Sequence, residues 1–95
     1  MIAIDLTNGE MRRRLPEIAR AIKDPDEIWA FWDVEKKELF RFYYVRFADA
    51  KTHPYVICRT DKTGWIPDRS GFATDERISQ MRQGTLVYRR ADHAS

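Results

Sequence analysis

Apolar residues recur along this chain with two different periods, and the change of period marks its elements. Leu15, Ile18, Ala19 and Ile22 fall at i, i+3, i+4 and i+7, which is one face of a helix. Arg13, Arg14, Glu17, Arg20 and Lys23 take the polar remainder. Pro16 suits the first turn of that helix, where its missing N–H costs nothing. An earlier helical turn is expected near Asn8, because Thr7-Asn8-Gly9-Glu10 has the Thr-x-x-Glu spacing of a capping box. Pro25 pushes Asp24 out of helical geometry and ends the helix.

From Glu27 the period drops to two. Ile28, Ala30, Trp32 and Val34 alternate with Trp29, Phe31 and Asp33, so residues 27–34 read as a strand covered at least in part on both faces. Asp24, Asp26 and Glu27 read as the acidic punctuation of the helix stop and strand start. Residues 35–38 form a polar turn, and 39–48 a second strand rich in Phe and Tyr. A loop over 49–54 leads to a third strand at 55–60, and Asp61-Lys62-Thr63-Gly64 is a strong turn. Trp65-Ile66-Pro67 is a short edge piece, since Pro67 cannot donate to a ladder. Thr74 is a good N-cap, with Asp75 and Glu76 suiting the dipole behind it. The helix runs to about residue 83 and stops at Gly84. Residues 85–89 are the last strand, and 92–95 a frayed tail. The expected fold is α+β. It has an N-terminal helix, or two short ones, then a compact antiparallel sheet of about four strands with one helix inserted before the last.

With 95 residues the chain is one domain with one modest core, its centre at about 15–90. A hydrophobic fraction of 43% and 13% aromatics set it apart from disordered chains. Its single cysteine, Cys58, leaves no disulfide within the chain and no multi-cysteine zinc site, and reads as a small buried residue. No apolar run approaches the roughly 18 residues of a membrane span. The net charge of +2 says less than its distribution. Arginines cluster in the first helix, punctuate the strands among aromatics and close the chain. That is either a footprint for phosphate or a solvated mixed-charge surface. There is no glycine-rich phosphate loop, no spacing for a Ser-His-Asp or Cys-His nucleophile, and no cofactor or metal is assigned.

The alternation of 39–48 puts Arg41 and Tyr43 on one face and Phe42, Tyr44 and Arg46 on the other. In the third strand Tyr55, Ile57 and Arg59 share a face. If Arg41 and Arg59 meet on one side with Tyr43, they can grip a phosphate and stack a base. The alternative is a rim arginine beside a core tyrosine. Thr74 is a helix cap in the plain reading. His53 lies in a loop beside Pro54 and His93 in the tail. Glu38 and Glu76 look like ordinary turn and helix-start residues.

The run from Leu15-Pro16-Glu17-Ile18 to Asp24-Pro25-Asp26-Glu27-Ile28-Trp29 is followed by the basic aromatic strand at 39–48. Gly71-Phe72-Ala73-Thr74 then leads into Arg82-Gln83-Gly84. This order resembles the phage-associated branch of the barnase–EndoU–colicin–RelE-like nuclease superfamily over roughly residues 15–90. Such domains are often found at the C-terminus of phage minor head proteins. The resemblance implies metal-independent endoribonuclease chemistry on RNA, with Arg41, Arg59 and Thr74 at the phosphate and His53 as the histidine available for proton transfer. It implies nucleic-acid contacts from Tyr43, Arg46, Arg82 and Tyr88, joined by Arg20 and Lys23 of the helix. Barnase uses a glutamate and a histidine, and no matching pair carries over to this chain. Implied partners are RNA, a phage head or portal protein, or an immunity or antitoxin protein, with no membrane. The implied setting is the bacterial cytoplasm or the virion. Two alternatives stand beside it. One is a binding module of the same fold without catalysis. The other is a protein-interaction domain using Trp29, Phe31 and Trp65.

Overall fold

The computed structural model describes residues 8–90, so the capping-box Thr7 and the tail expected at 92–95 lie outside the described residues. Helix α1 spans Asn8–Lys23, followed by strands β1 (Glu27–Asp33), β2 (Glu38–Tyr44), β3 (His53–Asp61) and β4 (Gly64–Ala73). Helix α2 (Asp75–Met81) and strand β5 (Thr85–Arg89) complete the chain. The sheet is antiparallel throughout, in the order β4-β3-β2-β1-β5. The α+β arrangement is as expected, with an N-terminal helix and a second helix before the last strand.

Of the two expected arrangements, a single N-terminal helix or two short ones, the single continuous helix forms, with Pro16 inside it. The buried stripe of α1 is also rotated from the expected face. Ile18 and Ala21 are buried, whereas Leu15, Ala19 and Ile22 are exposed. The cause is Arg14, whose guanidinium lies 3.7 Å from the centre of the Phe72 ring. It also pairs with Glu17 at 3.0 Å and donates to the Thr52 hydroxyl at 3.1 Å. Those contacts bring the Arg14 side of the helix toward the sheet.

The edge piece expected at Trp65-Ile66-Pro67 is a ten-residue strand that raises the sheet to five strands. Pro67 is tolerated because β4 is an edge strand and the register shifts beside it. Ile57 pairs with Arg69 and Cys58 with Pro67, which leaves Asp68 as the extra residue of a bulge.

Each face of the sheet holds its own core. Tyr43, Val45, Val56 and Cys58 pack with Ile18 and Ala21 under α1. Phe40, Phe42, Tyr44 and Ile57 pack with Ala73 and Ile78 on the face that carries α2. Strands β2 and β3 are therefore apolar on both faces, and β1, expected to be covered in part on both, adds Ile28 to one core and Trp29 and Phe31 to the other. The turn after α2 is held by Gly84, at φ +85°, where an added Cβ would lie 2.1 Å from the Ala30 carbonyl oxygen. That contact sets the path by which Arg82 and Arg89 reach β1.

Candidate functional site

The register of β2 and β3 decides which charged side chains can meet. Arg41 pairs with Cys58 and Phe40 with Arg59. Arg41 is therefore on the α1 face and Arg59 on the α2 face, so the expected Arg41–Arg59–Tyr43 cluster does not form. A one-residue offset in pairing moves a whole strand's side chains to the opposite face. Arg41 lies over the Trp65 ring at 4.3 Å, and Arg59 pairs with Asp68 at 3.5 Å. Tyr43 is buried under α1, which prevents it from stacking a base. Tyr88 pairs with Ile28, on the α1 face as well, and is exposed. Arg20 and Lys23 lie in the last turn of α1, where Arg20 spans 4.0 Å to Asp24.

A different set of residues converges on the α2 face. Its centre is Glu27, the first residue of β1, whose residue surface is only 4% exposed. Tyr44, directly across the ladder, donates its hydroxyl to Glu27 Oε1 at 2.6 Å. Trp29, two residues along the same face, donates its indole N–H to that oxygen at 2.9 Å. Arg89, the ladder partner of Glu27 on β5, donates Nε to Oε2 at 2.9 Å and brings Nη2 to 2.8 Å. Arg82, just past α2, brings Nε to 2.9 Å from Oε1, although not aligned as a hydrogen bond, and donates Nη2 to Oε2 at 3.4 Å. Its guanidinium also lies 5.1 Å from the Trp29 ring centre.

These contacts explain the charge state of the carboxyl. Burial pushes the Glu27 pKa up, but the hydrogen bonds from Tyr44, Trp29 and Arg89 and the charge of Arg82 outweigh it. The carboxyl is held below its ordinary value. Burial, reinforced by the Glu27 carboxylate, pushes the Tyr44 hydroxyl upward, so it stays a proton donor.

Beside this centre opens a cleft of about 310 Å³ lined by Glu27, Tyr44, Arg46, Asp75, Ser79 and Arg82. Arg46 and Asp75 form its rim, joined by a 2.7 Å hydrogen bond that draws the Asp75 carboxyl below its ordinary pKa. Next to them His53 is 1% exposed. Its Nδ1 accepts from the Phe47 backbone N–H at 3.0 Å, so the ring proton is assigned to Nε2. Nε2 lies 3.0 Å from Asp75 Oδ1, close but not aligned as a hydrogen bond. His53 thus supports the rim, and its burial keeps it out of the cleft.

Thr74 is the N-cap of α2, its hydroxyl accepting from the Arg77 N–H at 3.2 Å. Of the residues expected at the site, only Arg46 and Arg82 line the cleft, with His53 next to it. Glu27, Tyr44, Asp75 and Arg89 escaped the sequence reading. One signal was available for Glu27: a carboxylate sharing a strand face with Trp29 and Phe31 has to meet cations if that face is covered. Among the described residues, no group of three His, Cys, Asp or Glu side chains is placed to hold a metal ion. No described helix is long and apolar enough to cross a membrane.

The fold and cleft define a small α+β domain whose sheet presents a buried carboxylate ringed by arginines and a tyrosine. Its sequence matches the family model of the phage-Barnase-EndoU-ColicinE5/D-RelE like nuclease2 domains over residues 2–89, nearly the whole chain. The chain belongs to that family of phage nuclease-like domains. Neither the curated proteins nor the solved structures contain a significant match to it.

Proposed function

We propose that this domain is a metal-independent endoribonuclease and that the Glu27 cleft is its active site. The single observation that carries the reading is the convergence of Arg82, Arg89 and Tyr44 on one buried carboxylate, with Arg46 lining the cleft that opens beside it. The arginines supply fixed positive charge for a phosphodiester and for the extra charge of its transition state.

The chemistry follows from what holds Glu27. When a phosphate enters, Arg82 and Arg89 turn part of their hydrogen bonding from the carboxylate to the phosphate oxygens. Burial then dominates at Glu27 and raises its basicity. Glu27 takes the proton of the ribose 2′-hydroxyl, whose oxygen attacks phosphorus as the bond to the 5′-oxygen breaks. Tyr44 gives its proton to the departing oxygen and recovers one from Glu27. The products are a 2′,3′-cyclic phosphate and a free 5′-hydroxyl, and the enzyme's protons are restored. Protonation of Glu27 removes the negative charge that reinforces burial in holding the phenol proton, so Tyr44 becomes a better acid at that moment than beside the carboxylate.

A second reading has one observation in its favour. Glu27 is already saturated with donors in the free protein, which suits a domain that grips RNA without cutting it. Cleavage of a labelled RNA pool in EDTA separates the two. Wild type is expected to cut, and Arg82→Ala to cut at least about a hundredfold more slowly while remaining folded, a loss of about 2.7 kcal/mol at the transition state. Arg41→Ala, altered on the other face, is expected to keep wild-type cleavage. No cleavage by wild type, with salt-sensitive RNA binding retained, would establish the binding module instead.

A further inference from the structure

A second hollow on the α2 face, separate from the Glu27 cleft, has a composition that suits a different part of an RNA chain. It is about 220 Å³ in volume. Phe31 and Phe42 contribute to its apolar floor, while Arg69, Arg77, Gln80 and Gln83 stand around it, all four exposed. The Phe31 ring is partly buried and stacked on Phe40, with centres 5.5 Å apart and planes 16° from parallel. The stack keeps Phe31 in place as a platform.

The polar groups divide unevenly between donors and acceptors. Arg77 Nη1 donates to Gln80 Oε1 at 3.2 Å, which uses one lone pair of that oxygen and leaves the amide's NH₂ to donate. Gln83 Nε2 donates to the Gln80 main-chain oxygen at 2.9 Å, which leaves the Gln83 Oε1 as an acceptor. Arg69 and Arg77 can only donate. The hollow therefore offers the many donors of two guanidinium groups, more than the two amide oxygens can match as acceptors, over a flat aromatic floor. A bare phosphate would use the guanidinium groups and waste the floor. A planar base with adjacent acceptors would use both, as guanine does with O6 and N7 toward an arginine.

We infer that this hollow is a nucleobase site, taking an unpaired purine with an acceptor-rich edge from single-stranded RNA. It stacks the base on Phe31 and reads it through Arg69. The inference rests on the nuclease reading for identifying the base as part of a substrate chain. Under it, the domain cuts RNA with a base preference set away from the Glu27 cleft.

The test is equilibrium binding of guanosine 5′-monophosphate to the whole chain, followed by amide NMR shifts, with ribose 5-phosphate as the comparison. Saturable binding is expected, with shifts at Phe31, Arg69 and Gln83, and ribose 5-phosphate should bind at least about tenfold more weakly. Arg69→Ala should weaken the nucleotide at least about tenfold, equal to about 1.4 kcal/mol. Arg69 is exposed, so this variant folds; Gln83→Ala is a second surface change expected to weaken binding. Equal binding of ribose 5-phosphate, or no effect of either substitution, overturns the base site even if the domain cleaves RNA. Nucleotide binding that depends on Arg69, in a wild-type protein that cuts no RNA, keeps the base site and removes the nuclease reading alone.

Discussion

Replacing Glu27 by alanine tests whether the carboxylate organises the site as well as serving it. The substitution leaves the Tyr44 hydroxyl, buried and bonded to Glu27 at 2.6 Å, without its acceptor. An unsatisfied buried donor costs about 1–3 kcal/mol. The Trp29 indole N–H is half-buried and loses its 2.9 Å partner, which adds about 1 kcal/mol. Arg82 and Arg89 are 35% and 51% exposed at the side chain, so water screens them once freed and each adds well under 1 kcal/mol. The sum is about 3 kcal/mol, a large fraction of the roughly 5–15 kcal/mol expected for a domain of this kind. In urea unfolding, with a slope of about 1–1.5 kcal/mol per molar, the midpoint should fall by about 2–3 M. Glu27→Gln keeps an oxygen for Tyr44 and Trp29 and should cost less. The pH dependence carries the sign of the argument. The folded pKa of Glu27 lies below its ordinary value of 4.5. Its contribution is therefore present above that value and lost as pH falls through the folded pKa. The gap between wild type and Glu27→Gln should hold from neutral pH to about 5 and narrow below the ordinary value. A loss under about 1 kcal/mol for Glu27→Ala, or a gap that does not narrow in acid, would refute this account of the site.

Two further substitutions separate scaffold from chemistry. Gly84→Ala puts a Cβ 2.1 Å from the Ala30 carbonyl oxygen at φ +85°, so it should shift the turn that delivers Arg82 and lower both thermal stability and RNA cleavage. A stable variant with unchanged cleavage would show that the turn path does not position the arginines. Thr74→Ala removes the cap of α2 and should cost about 1 kcal/mol of stability in urea unfolding. Cleavage by the folded variant should stay close to wild type, whereas a large loss at unchanged stability would give the hydroxyl a direct part in the reaction.

The elements of this fold were legible where the evidence is local. The helix stop at Pro25, the two-sided coverage of β1, the Phe- and Tyr-rich β2 and the Thr74 cap each depend on residues a few positions apart. Strand β4 was only partly legible, because Pro67, Asp68 and Arg69 look like a loop until the bulge and the sheet edge supply a reason for them. The site was less legible still, because it is a property of register. Alternation correctly groups Tyr55, Ile57 and Arg59, but only the pairing of Arg41 with Cys58 decides which face of β2 they share. Glu27 sat in plain view beside Asp24-Pro25-Asp26, where an acidic residue has a sufficient local explanation. Its partners come from the facing strand at Tyr44 and from beyond the second helix at Arg82 and Arg89. The same arrangement gives the site its chemical character. If the cleft takes a phosphate as proposed, a carboxylate whose cations come from a separate strand and a helix end can lose them to it without disturbing β1. Were the cations helix neighbours of Glu27, local geometry would tie the charges together and leave the phosphate less to gain.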